Sequence, residues 1–208
     1  MNAAARHQRS AGPLVTPRRG RLGMSPATLA LLLAPAIVFA QKSAAPPETF
    51  IANAQVTRSG ASASATVTIQ IDHYTQPDDL TTMQDALKYG GYPRFLPALR
   101  QAPVAGSVEM AGRKVLARWA RQVPTDKGRT ISVVTESPIA FLGGSGITSK
   151  PRAGYELAIL LFDVDTAGTG SGTMAAAARV KPGGASGVQV DDYADTPITL
   201  TGIHKASK

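Results

Sequence analysis

The chain has 208 residues, with 22 basic and 14 acidic side chains and no cysteine. The missing cysteine excludes a disulfide framework, a thiolate metal site and a lipid-modified cysteine, and the length fits one domain with a core of its own. The formal charge of +8 is concentrated at the start: residues 1–40 hold five of the basic residues and none of the acidic ones, which leaves +3 for the remainder. A balance that small removes the sustained positive field that binding to nucleic acid needs.

In chain order, the first element is a leader. Arg18, Arg19 and Arg21 precede an apolar run from Ala27 to Phe39, and Val38-Phe39-Ala40 supplies small residues around a cut before Gln41. Basic stretch, short apolar core and cleavage site together predict a secretory signal over residues 1–40. The run is broken by Pro35 and is shorter than the roughly 20 residues a membrane span requires, so no transmembrane segment is expected in the mature chain. A start at Met24 and a twin-arginine signal are the alternatives, the latter opposed by Arg21 where an apolar residue is usual. The exported domain is then periplasmic or secreted.

Residues 41–48 (QKSAAPPE) form a flexible lead, residues 49–204 a single strand-rich domain and residues 205–208 a tail. Ile51–Arg58 and Ser64–Tyr74 predict a pair of strands joined at Ser59-Gly60-Ala61-Ser62. In the second, Val67, Ile69 and Ile71 alternate with Thr68, Gln70 and Asp72, the period of a half-buried strand. Pro77, Asp78 and Asp79 then open a helix carrying Leu80, Met83, Ala86 and Leu87 at helical spacing, which Gly90-Gly91 stops. A second short helix from Pro93, with Phe95, Leu96 and Leu99 on its apolar face, completes a helical hairpin near residues 76–102. Strands return at Gly106–Met110, Lys114–Val123, Gly128–Glu136 and Ile139–Leu142. Tyr155–Asp165 is apolar on both faces and reads as a central strand. The Gly168–Gly172 run predicts a turn into Thr173–Val180, and a last hairpin pairs Val188–Tyr193 with Ile198–Ile203. Strands interrupted by one helical insert predict an α+β fold, a predominantly antiparallel sheet forming a curled sheet or partial barrel.

Chemistry-bearing residues are few. Neither Ser145 nor Ser171 has the glycine spacing of a nucleophile elbow. Beyond the leader the histidines are His73 and His204. Asp72 precedes His73, but neighbours on a strand point to opposite faces. Asp163 and Asp165 begin like a calcium loop, then meet Ala167 where an oxygen ligand belongs and Met174 where a closing glutamate belongs. Asp191, Asp192 and Asp195 form a second acidic group, and convergence of the two groups would make a cation or carboxylate site. No cofactor is predicted, with calcium at Asp163, Asp165, Asp191 and Asp192 as the alternative. In the strand Lys114–Val123, Val115, Ala117, Trp119 and Arg121 are expected on one face, with Lys114 and Arg118 on the other. Trp119, Arg118 and Arg121 are the candidate ligand-binding residues, set against a solvated sheet face whose charges discourage edge pairing.

The segments 86–112, ESPIAFLGG (136–144), 150–182 and VDDYADTPITLTGIHKA (190–206) resemble an uncharacterised family of small exported bacterial proteins. The resemblance implies a shared exported domain over nearly all the mature chain and no assigned activity. The leading expectation is a non-catalytic exported domain that binds a small ligand or an envelope partner. An enzyme using the clustered carboxylates, with or without a divalent cation, and a structural envelope or surface protein are the alternatives.

Overall fold

The computed structural model describes residues 46–58, 61–139, 152–194 and 196–207. The leader expected over residues 1–40, the Ser59–Gly60 connection, most of the strand expected at Ile139–Leu142, the loop around Ser145, and Asp195 lie outside these residues.

The strands are β1 (Glu48–Arg58), β2 (Ala61–Ile71), β3 (Gly106–Met110), β4 (Arg113–Thr125), β5 (Gly128–Thr135), β6 (Leu157–Asp165), β7 (Thr169–Pro182), β8 (Val188–Tyr193) and β9 (Ile198–Lys205); the helical element α1 is Pro77–Gln101. Every strand pairing is antiparallel. The order β6-β5-β4-β3-β2-β1-β9-β7, with β7 also bonded to β6, closes an eight-stranded barrel; β8 lies outside the ring on the far half of β7. The fold is therefore the expected antiparallel α+β sheet, but its barrel is closed rather than partial. Closure depends on β7, which is longer than expected and is paired on both edges.

That length also corrects the last hairpin. β8 pairs with Ala178–Pro182 and β9 with Thr169–Met174 and β1, so β8 and β9 share an edge of β7 instead of pairing with each other. Only Gly168 of the expected glycine turn sits in a left-handed turn, at φ 83°. Gly170 and Gly172 are strand residues pressed against the backbone of β6.

Two apolar clusters organise the barrel. Phe50, Ile69, Val108, Ile131, Phe162, Met174 and Leu200 are among the buried side chains that fill the interior, with Phe50 and Phe162 meeting edge to face at 5.4 Å. The second cluster lies outside the wall, where Met83, Leu87, Phe95 and Leu99 of α1 cover Trp119, Val134, Leu157, Ile159, Ala175 and Ala178. β6 is thus apolar on both faces because one faces the interior and the other faces the helix.

The outer wall at β1, β2 and β9 is polar. Asn53 faces Thr66 and Thr201, and Gln55 faces Ser64 and Thr199, in one uncharged lattice across three strands. Apolar inside and polar outside is the reverse of a barrel facing lipid. No described helix is long and apolar enough to cross a membrane.

The two predicted helices form a single kinked element. Pro77 occupies its first turn with Asp78 and Asp79, and the chain breaks at Gly91, where φ 64° and ψ −167° are open to glycine. The break makes Pro93 an early residue of a new helical segment, where a missing N–H costs little.

Candidate functional site

Three groupings of side chains are candidates for a site, and the first two are structural. The first spans one end of the barrel. Glu48 opens β1 and Lys205 closes β9, although the sequence leaves them in the lead and the tail. Arg129 Nη2 donates to Glu48 Oε1 at 2.8 Å, Lys205 Nζ to the same oxygen at 2.7 Å, and the Tyr74 hydroxyl to Oε2 at 2.6 Å. Arg129 Nη1 donates to Gln122 Oε1 at 2.5 Å. Because β1 and β5 are four strands apart either way round the ring, the Glu48–Arg129 pair is a clasp across the barrel mouth.

Burial alone would raise the Glu48 pKa, but hydrogen bonds from Arg129, Lys205 and Tyr74 outweigh it and hold the group at about 2. Burial and the bond to Glu48 push the Tyr74 phenol upward. A carboxylate locked as the anion and a phenol locked as the acid are poor proton carriers at neutral pH. The clasp holds the barrel end together and is not an acid–base pair. Sequence reasoning missed it because Glu48, Tyr74, Arg129 and Lys205 are far apart in the chain, with no local spacing to join them.

The second grouping is the aspartates. Asp163 accepts from the Thr130 hydroxyl, and Asp165 accepts from the amides of Ala167 and Thr169 and from the Thr169 hydroxyl, closing the β6–β7 turn. Asp191 pairs with Arg179 at 2.8 Å and Lys181 at 3.5 Å, and Asp192 accepts from the Tyr155 hydroxyl. Asp163 is opposite Ser171 and Asp192 opposite Arg179, so eight residues of β7, about 26 Å at strand spacing, separate the two pairs. The structure does not bring them together. Among the described residues no group of three or more His, Asp or Glu side chains is arranged to hold a metal ion.

The predicted ligand residues are dispersed as well. A bulge between Ala117 and Trp119 moves these two side chains to opposite faces, Ala117 into the barrel and Trp119 beneath α1, where an unbroken strand would align them. Trp119 is fully buried, donates its indole N–H to Ser132 Oγ at 2.9 Å and meets Phe95 edge to face. Arg118 bonds Glu136 and the Ala102 carbonyl, the latter just past the end of α1, and Arg121 bonds the Ser186 carbonyl. Each arginine thus fastens α1 or the β7–β8 loop to the wall.

The third candidate is the outward face of α1. Its two segments meet at Gly91 and enclose an open groove of about 550 Å³. Its lining is Asp85, Ala86, Tyr89 and Gly90 of the first segment and Pro93, Arg94, Pro97, Ala98 and Gln101 of the second. Tyr89 is 74% exposed, with Lys88 Nζ 4.9 Å from its ring centroid. The Arg94 stem lies against Gly90, where a Cβ would fall 2.1 Å from Arg94 Cδ. Asp85 and Arg94 have no ion-pair partner among the described residues.

Comparison with protein-family models, curated proteins and solved structures returns no match. The functional weight therefore rests on this geometry. An exposed aromatic ring, two prolines and an arginine without an ion-pair partner among the described residues thus lie together on the outward side of α1. The helical period in the sequence located Met83, Leu87, Phe95 and Leu99 on the inward side of α1, but also expected there Ala86, which lines the groove. Within the second segment Pro93 and Pro97 recur at helical spacing opposite Phe95, whereas the place of Tyr89 beside them depends on the break at Gly91.

Proposed function

We propose that this protein is a non-catalytic exported domain that binds a small ligand on the outer face of α1, not inside its barrel. The observation that carries the reading is the groove around Tyr89, whose volume falls in the range of small-molecule sites. The interior supports it by contrast, being occupied by the side chains that form the core. The carboxylate-enzyme alternative has less behind it, because its two aspartate pairs are far apart and engaged in turns and ion pairs.

In isotope-labelled protein titrated with aromatic and aliphatic fragments, amide shifts are expected to concentrate between Asp85 and Gln101. Tyr89→Ala should weaken the strongest fragment about tenfold or more, as loss of an aromatic anchor does. Shifts centred on Asp163, Asp165, Asp191 and Asp192 instead would transfer the weight to the carboxylate site.

The envelope-partner form of the proposal has support of its own in the uncharged lattice of Asn53, Gln55, Ser64, Thr66, Thr199 and Thr201. Such a wall offers hydrogen bonds without a charge preference and fits a neutral polysaccharide. Co-sedimentation with insoluble envelope glycan, reduced by Thr66→Glu, is the expected outcome, and equal sedimentation of the variant would count against it.

A further inference from the structure

We infer that the α1 groove selects a flat apolar anion, an aromatic ring system bearing one carboxylate, sulfonate or similar group. This rests on the binding role proposed for the same groove and adds the chemistry of the ligand. Tyr89, Pro93 and Pro97 present rigid apolar surface that is already exposed, which suits the face of a ring and costs little side-chain entropy on binding.

The charges facing this surface are unequal. Arg94 and Asp85 both line the groove, and Lys88 lies beside it with its Nζ 4.9 Å from the Tyr89 ring centroid, so two cations stand against one carboxylate. Arg94 is the cation best placed for a ligand, because its stem is laid along the groove by the missing side chain of Gly90 and its head has no ion-pair partner among the described residues. A guanidinium with unused donors beside an apolar platform recognises a planar anion through charge-assisted hydrogen bonds. Lys88, close to the ring of Tyr89, adds positive potential beside the groove.

Two fluorescent probes separate the ring from the charge: 1-anilinonaphthalene-8-sulfonate, and N-phenyl-1-naphthylamine, which has the same rings without the sulfonate. The full chain less its leader is titrated with each as wild type, Tyr89→Ala and Arg94→Gln, with circular dichroism confirming that all three are folded. The sulfonate is expected to bind about tenfold more tightly than the neutral probe, and to lose that advantage in Arg94→Gln and at high salt. Tyr89→Ala should weaken both probes. Equal affinity for the two probes, with both still dependent on Tyr89, overturns the anion preference and leaves the groove as the site. Failure of the sulfonate to bind, or binding that Tyr89→Ala does not change, overturns the groove and the anion inference together.

Discussion

Replacing Glu48 by glutamine is expected to lower the unfolding free energy at neutral pH by about 3 kcal/mol and to flatten its dependence on acid. The carboxylate is only 7% exposed and is held by Arg129, Lys205 and Tyr74. A carboxyl moved from its ordinary 4.5 to about 2 contributes on the order of 3 kcal/mol to the folded state. The amide keeps the shape but removes the charge, leaving two cations facing each other across the barrel mouth. Arg129, three-quarters buried, has less access to compensating water than Lys205.

The sign of the acid dependence follows from the lowered pKa. Because the folded-state value lies below the unfolded one, the stabilisation is complete above about pH 4.5 and disappears as the pH falls toward 2. Urea titrations at pH 7 and pH 3 should therefore bring wild type and Glu48→Gln together as the acid is added. A constant gap between them at both pH values would show that the clasp is held by packing and not by charge.

The clasp also shows where the sequence stops being informative. Alternation along Val67, Ile69 and Ile71 gave β2, and the Pro77-Asp78-Asp79 start gave α1, because these signals lie within a few residues of each other. The apolar middle of Leu157–Asp165 correctly implied cover on both faces without saying what provided it. The features that failed are non-local. Nothing near Glu48 names Arg129, and nothing in Lys114–Val123 announces the bulge that separates Ala117 from Trp119. The glycines after Asp165 were legible as glycines, but whether they turn the chain or admit a neighbouring strand depends on what lies beside them. The α1 groove is intermediate: the outward side of each helical segment is visible in the sequence, while how the two segments meet is set by the non-helical Gly91.

Those glycines carry the second large effect: Gly170→Ala is expected to destabilise the fold by about 3 kcal/mol or more and to open the barrel at the β6–β7 seam. Gly170 is not at positive φ, so the added methyl group brings little backbone strain of its own. Its cost is steric, since the Cβ would lie 1.8 Å from the Asp163 carbonyl oxygen and 3.1 Å from the Val164 Cα. Side chains can rotate away from such a contact, but backbone cannot. β7 has nowhere to retreat, because Gly170 faces Val164 on one side and Ile203 on the other. Relief must come from separating β6 from β7, which converts the closed ring into an open sheet whose β6 edge is unpaired. An exposed edge of that kind invites pairing between molecules. The expected signature is a lower urea midpoint together with faster amide exchange along β6 and concentration-dependent association in size-exclusion chromatography. Stability within about 0.5 kcal/mol of wild type, the range of an ordinary surface substitution, would mean that the seam yields without opening and that closure does not depend on the glycine.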